Sequence, residues 1–183
     1  MVPRISWEEI HKMNSIAQSF PANLNIYQKI TQYLLDIIKD MEKKDVIFIK
    51  NHETIIEFLN KENNHIIYNI DHHHDCGYGK KEEIMDKLTC ANWVHYVPNI
   101  QSYIWINNFN SSDIPEDRKI KDTVIQSIEQ IDLNSLPKPD KIFICYSPPW
   151  IPPMYWPLYC LWMDICNKQF NTFYQMHEVM RDN

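Results

Sequence analysis

The chain has 183 residues with 44% hydrophobic and 13% aromatic content, enough apolar material to bury one compact core, so a single domain over 1–183 is expected. A formal net charge of −6, with no basic block beyond Lys43-Lys44 and Lys80-Lys81, argues against a nucleic-acid partner. No stretch reaches the roughly 20 apolar residues of a membrane span, and the opening MVPRISWEEIHKMN lacks the apolar core of a secretion signal, so no membrane association and a cytoplasmic location are expected.

Residues 24–44 place Ile26, Ile30, Tyr33, Leu34, Ile37 and Ile38 at helical spacing with charges between them, which predicts a surface helix packed on a sheet. DVIFIK at 45–50 is a short apolar run of the kind buried in parallel sheets. His52 to Leu59 reads as a helix that starts where this strand stops, and Ile66 to Ile70 as the next strand. KEEIMDKLTCAN at 81–92 predicts a helix, YIWIN at 103–107 a strand, and 123–131 fits either. KIFICY at 141–146 is the last clear strand, running into the Pro-rich SPPWIPPMYWP. The segment 155–180 is aromatic and helix-compatible, with a break near Asn167. Strands alternating with helices predict an α/β fold with a mainly parallel sheet. The five cysteines, Cys76, Cys90, Cys145, Cys160 and Cys166, are odd in number and form no CxxC pair, so reduced thiols are expected.

The sharpest chemical signal is IIYNIDHHHDCGYG at 66–79. An apolar strand ends in Asp71, His72, His73, His74 and Asp75, followed by the only glycines of the chain, Gly77 and Gly79. If the strand continues through this run, alternation puts Asp71, His73 and Asp75 on one face and His72 and His74 on the other. Two carboxylates and an imidazole on one face make a cradle for a metal ion. The glycines predict a loop that needs positive φ or a close backbone approach just beyond it. A His-rich surface turn with chance spacing is the plainer alternative. Reading the run as a metal site divides the chain into an N-terminal helical segment (1–44), a metal-site core (45–147) and a Pro-rich turn with aromatic tail (148–183). His52 should close a neighbouring parallel strand, its imidazole within a few ångströms of Asp71 or Asp75.

The pair DVIFIKNHETIIEFL and IIYNIDHHHD resembles the peptide arginase family, an arginase-like branch of the ureohydrolase and deacetylase superfamily. In that family a strand-end His-Glu or His-His precedes a helix, and the next strand ends in Asp-x-His-x-Asp. The resemblance covers about the first half of the domain and continues loosely through CANWVHYVP and YIWI. It implies a trimmed three-layer α/β fold of the arginase and deacetylase type, and a metal centre held by His52, Asp71, His73 and Asp75. The family also carries a later strand ending in Asp-x-Asp, which completes a two-metal cluster. This chain has Ile144-Cys145-Tyr146-Ser147 there, with no carboxylate. A mononuclear site, a site assisted by Cys145 as an additional ligand, and a non-enzymatic relative all remain open.

Carboxylates and imidazoles suit a divalent ion, manganese first, with zinc or iron as alternatives that a cysteine ligand would favour. A metal so held activates water for attack on a planar carbon, either a guanidinium or an amide. The expected chemistry is hydrolysis of a C–N bond, most specifically arginine to ornithine plus urea, on a free amino acid or a peptide. A second reading is a metal-stabilised binding or regulatory protein that has lost catalysis. A third is a deacetylase-like amidohydrolase, since Asp71, His73, His74, Gly77 and Gly79 imitate the Asp-x-His-His and Gly-rich loop of those enzymes, which makes His74 a further candidate ligand.

Among other residues, Asp75 could accept the proton of the attacking water. His95 is either a general acid or base or a packing residue. Glu53 could contact a cationic substrate, support His52, or simply favour the first turn of a helix. The run from Ser147 to Pro153 either walls a pocket at the sheet rim or caps the core. Trp150, Tyr155, Trp156, Tyr159 and Trp162 read as core or interface, and Cys160 and Cys166 as small buried hydrophobes.

Overall fold

A computed structural model of the chain describes residues 25–59, 61–78, 86–107, 111–120, 122–147 and 155–170, with 168–170 described as backbone alone. The fold is α/β with parallel strand pairing throughout, and it divides into two compact units, Met1–Lys50 with Leu133–Asn183, and Asn51–Asp132.

In the first unit, helix α1 (25–37) continues as a 3-10 turn, Ile38–Asp40, and leads to strand β1, Val46–Ile49. β1 pairs in parallel with β5, Ile142–Cys145, in the register Val46 to Ile142 through Ile49 to Cys145. Helix α3, Trp156–Phe170, closes the unit. Its residues Trp156, Tyr159, Met163 and Cys166 recur at steps of three and four, which line them up on one face. That face meets Leu34, Ile38, Val46 and Ile144 to form the unit's core. Tyr159 packs edge-on against Phe48, with ring centroids 5.4 Å apart, and its hydroxyl donates to the Ile49 carbonyl at 3.3 Å. The Trp162 indole N–H donates to Thr31 Oγ1 at 2.8 Å, which also ties α3 to α1.

In the second unit a 3-10 turn, His52–Thr54, runs into the single-turn helix α2, Ile55–Phe58. Three parallel strands follow in sheet order β2 (His65–Ile70), β3 (Ile100–Asn107), β4 (Thr123–Ser127). The central strand, flanked on both edges, is the most buried, as its near-continuous run Tyr103-Ile104-Trp105-Ile106 requires. Edge strand β4 leaves Val124 and Ile125 exposed. Asn69 lies opposite Trp105 and Ile67 opposite Tyr103, which puts Asn69, Tyr103 and Trp105 on one face of this sheet.

Several expectations change. The strand at 45–50 pairs with the one at 141–146, and β2 pairs with β3, so the strands belong to two sheets where one was expected. The ambiguous 123–131 resolves as strand over Thr123–Ser127 and turn beyond, because Tyr103 to Asn107 offer it a parallel partner. Of the helix expected over 81–92, residues 81–85 lie outside the described residues. The remainder forms turns in which the Asn92 side chain accepts from the Thr89 N–H and donates to the Lys87 carbonyl, local bonds that compete with a helix. α3 runs through Asn167 to Phe170 without a break. Most of the Pro-rich turn, with Trp150, and the tail beyond Phe170 lie outside the described residues. No helix among the described residues is long and apolar enough to cross a membrane.

Ile106, 1% exposed near the end of β3, and Val124, 44% exposed on β4, make a contrast within one sheet. Ile106→Ala should cost about 2–5 kcal/mol in urea unfolding, and Val124→Ala less than about 1 kcal/mol.

Candidate metal centre

β2 stops at Ile70 because the chain is captured from the side. The Asp71 N–H makes a last ladder bond to the Ile106 carbonyl at 3.3 Å. The Asp71 carboxylate then accepts the His73 N–H at 3.1 Å, an Asx turn that replaces further pairing. Trp105 donates its indole N–H to the Asp71 carbonyl at 2.9 Å, and Tyr103 its hydroxyl to the His74 carbonyl at 2.8 Å. These two side chains, two positions apart on β3, hold the 71–74 segment over one face of the sheet. Asp75 completes the reversal in the left-handed region, φ 51°, which an aspartate tolerates better than most residues. Gly77, at φ 90°, takes the position where a Cβ is costly. Gly79 lies outside the described residues.

The alternating-face reading of DHHHD is therefore corrected. Residues 71–75 are a bend, and Asp71 and Asp75 converge because the chain folds back between them.

They converge on His52, carried by the 3-10 turn before α2. His52 Nδ1 stands 3.1 Å from Asp75 Oδ2 and 3.5 Å from Asp71 Oδ2. One ligand atom from each of His52, Asp71 and Asp75 lies within 4.8 Å of the others, the one such group of three or more among the described residues. Asp75 is almost wholly buried, while His52 and Asp71 keep side-chain exposures of 19% and 18%, so the cluster opens to solvent on one side. Burial, and then the negative charge of Asp75, hold the Asp71 carboxyl above the usual carboxylate range, against the opposing pull of His52 and His73. Two carboxylates forced together beside an imidazole are a donor set that fits a divalent cation, whose charge offsets their repulsion.

Asp75 is oriented from behind. The Trp93 indole N–H donates to Oδ2 at 2.7 Å, and the Asn69 amide approaches the same oxygen at 3.5 Å while donating to the Tyr103 hydroxyl at 2.9 Å. A neutral donor on a buried carboxylate contributes about 1.5–3 kcal/mol. That offsets the order 1–3 kcal/mol of a left-handed non-glycine residue.

The remaining candidates fall in different places. His73 is set beside the cluster, with Nδ1 3.9 Å from Asp71 Oδ1 and its ring edge-on to His72 and Tyr78. His74 is fully buried, its ring stacked on Tyr78 and edge-on to Trp105. Its Nδ1 accepts the Cys76 N–H at 3.0 Å, and burial together with the charge of Arg118 pushes its pKa down to about 4. With Nδ1 so engaged, His74 stands outside the group formed by His52, Asp71 and Asp75. His95 Nε2 donates to the Cys76 carbonyl at 3.0 Å, a bond that secures the loop. Glu53, next to His52, has one buried oxygen without a partner among the described residues. Cys145 belongs to the first unit, where its thiol donates to the Lys50 carbonyl at 3.3 Å and lies 3.4 Å from the Ser147 hydroxyl. The Cys76 thiol is buried and pushed up to about 12, which makes it a poor nucleophile.

Trp93 and Asn69 were the residues that sequence reasoning passed over. Asn69 leaves a trace, a lone amide in the apolar run IIYNI, whereas nothing in the sequence couples Trp93 to Asp75, 18 positions away. Comparison of the chain with protein-family models, with curated proteins and with solved structures returns no match.

The raised pKa of Asp71 carries a definite sign. Protonated Asp71 costs nothing in acid. As pH rises through its raised native-state pKa it ionises against Asp75, and stability falls where an ordinary carboxylate would add to it. Near neutral pH, Asp71→Asn should therefore raise the unfolding temperature of the cation-free protein, by roughly 2–4 °C for a gain of about 1 kcal/mol. Calorimetric scans should show that difference shrinking toward acid pH.

Proposed function

We propose that the protein is a metal-dependent hydrolase of a C–N bond, acting on a guanidinium or amide group, and most specifically arginase-like: arginine to ornithine plus urea, in a free amino acid or a peptide. The observation that carries the reading is the convergence of His52, Asp71 and Asp75 at one solvent-open point. These three side chains would hold the cation, with manganese the first choice for a site this rich in carboxylate and zinc or iron as alternatives. A divalent cation there supplies Lewis acidity toward a planar carbon and toward water.

The chain's own groups do the rest. Trp93 and Asn69 hold Asp75 in place, and Asp75 takes the proton lost by the attacking water. The two carboxylates favour a cationic guanidinium at the mouth of the site. His73, partly buried, stands beside Asp71. The resemblance of the two motifs to peptide arginases goes with this reading, as does a trimmed three-layer arginase-like fold, supported by the parallel pairing in both sheets. The five cysteines, all free thiols, suit a reducing, cytoplasmic setting.

A second reading, a metal-stabilised binding or regulatory protein, draws on Cys145 and Ser147 standing where the family has two aspartates. It shares the metal centre and differs in the chemistry.

Elemental analysis of the purified protein should find one divalent cation per chain. His52→Ala, Asp71→Ala and Asp75→Ala should each lose it, His72→Ala should keep it, and His73→Ala should weaken it by no more than about tenfold. Colorimetric urea release from an arginine-containing peptide should follow the cation. A bound cation with no urea from peptide or free arginine would favour the binding protein, and a chain that retains no cation would remove both readings.

A further inference from the structure

We infer that Trp93 is a positioning residue for the metal centre, its indole N–H fixing the Asp75 carboxylate in the orientation that receives the cation. The inference rests on the proposed metal site and deepens it.

Trp93 is 3% exposed and opens the 3-10 turn Trp93–Tyr96. Its Nε1 stands 2.7 Å from Asp75 Oδ2, shorter than the usual N–H to O separation, as expected for a donor meeting a charged acceptor away from water. The bonded oxygen is the one that faces His52 Nδ1. An indole can only donate, so at this position its N–H meets an acceptor oxygen and fixes the rotation of the carboxylate about the side-chain bond. The Trp93 ring also stands edge-on to the His52 ring, with centroids 6.4 Å apart and planes at 77°, so one side chain touches two of the three candidate ligands. Packing alone would be served by phenylalanine. The N–H aimed at Asp75 is what phenylalanine lacks.

Trp93 is itself held from the loop it serves. The segment between the cluster and Trp93 is cross-tied by the Gly77 N–H to the Ala91 carbonyl at 2.7 Å and by His95 Nε2 to the Cys76 carbonyl at 3.0 Å. Asp75 and Trp93 thus belong to one braced substructure.

The test is calorimetric titration of the full chain with Mn²⁺, and in parallel with Zn²⁺, for wild type and Trp93→Phe. Wild type should bind one ion, and Trp93→Phe should bind it about 10- to 100-fold more weakly, the effect typical of losing a partner that orients a ligand. Unfolding temperatures without metal separate this from a merely structural role. A Trp93→Phe protein that is less stable but binds both ions with wild-type affinity would overturn the inference while leaving the metal site standing. Wild type that binds neither ion would overturn the site and the inference together. Should Trp93→Phe fail to fold, the wild-type indole N–H resonance decides: it should exchange slowly with solvent and shift on addition of Zn²⁺, and fast exchange with no shift would overturn the inference.

Discussion

Two carboxylates close together in a partly buried place repel each other, and the second unit is built around accommodating that repulsion. Asp71 and Asp75 are brought together by a bend that the chain would not adopt unaided. One of them sits in the left-handed region and the other has its carboxyl held above the usual range. The sheet supplies the holding force. Tyr103 and Trp105 cap the carbonyls of His74 and Asp71, Asn69 and Trp93 cap the Asp75 carboxylate, and His52 brings an imidazole to both. Such concentration of strain and like charge at one point costs stability, and folds keep it where a ligand returns the cost.

The surrounding aromatic shell gives this arrangement its rigidity. His74, the most buried histidine of the loop, is locked between Tyr78 and Trp105 and gives up its Nδ1 to the backbone. It acts as an internal strut, and its position fixes Tyr78 beside the partly buried His73. Burial raises the hydroxyl pKa of both Tyr78 and Tyr103, so they serve as neutral hydrogen-bonding groups across the physiological range.

Much of this was legible in the sequence, and the limits have physical causes. Apolar runs such as VIFI, YIWI and IFIC announce buried parallel strands because both faces of such strands are covered. Which strand pairs with which is not local information. Sequence order suggested that β1 and β2 are neighbours, whereas β1 pairs with β5 from nearly a hundred residues away. The cluster itself was legible as composition, since two carboxylates and an imidazole stand in the segments that follow two apolar strands. Its geometry was not. Alternation holds only while the ladder continues, and one Asx turn at Asp71 ended it, which moved His73 aside and turned His74 inward. Trp93 was hidden for a plainer reason: an aromatic in a turn is nearly always packing, and only the position of its N–H distinguishes it.

The proposed role of His52, Asp71 and Asp75 is to hold one divalent cation. Crystals of the protein grown with Mn²⁺ and measured at the manganese absorption edge test it most directly. The account predicts a single strong anomalous peak, within bonding distance of His52 Nδ1 and of a carboxylate oxygen from each aspartate. A map with no peak at that point, or with the ion held by other side chains, would contradict it.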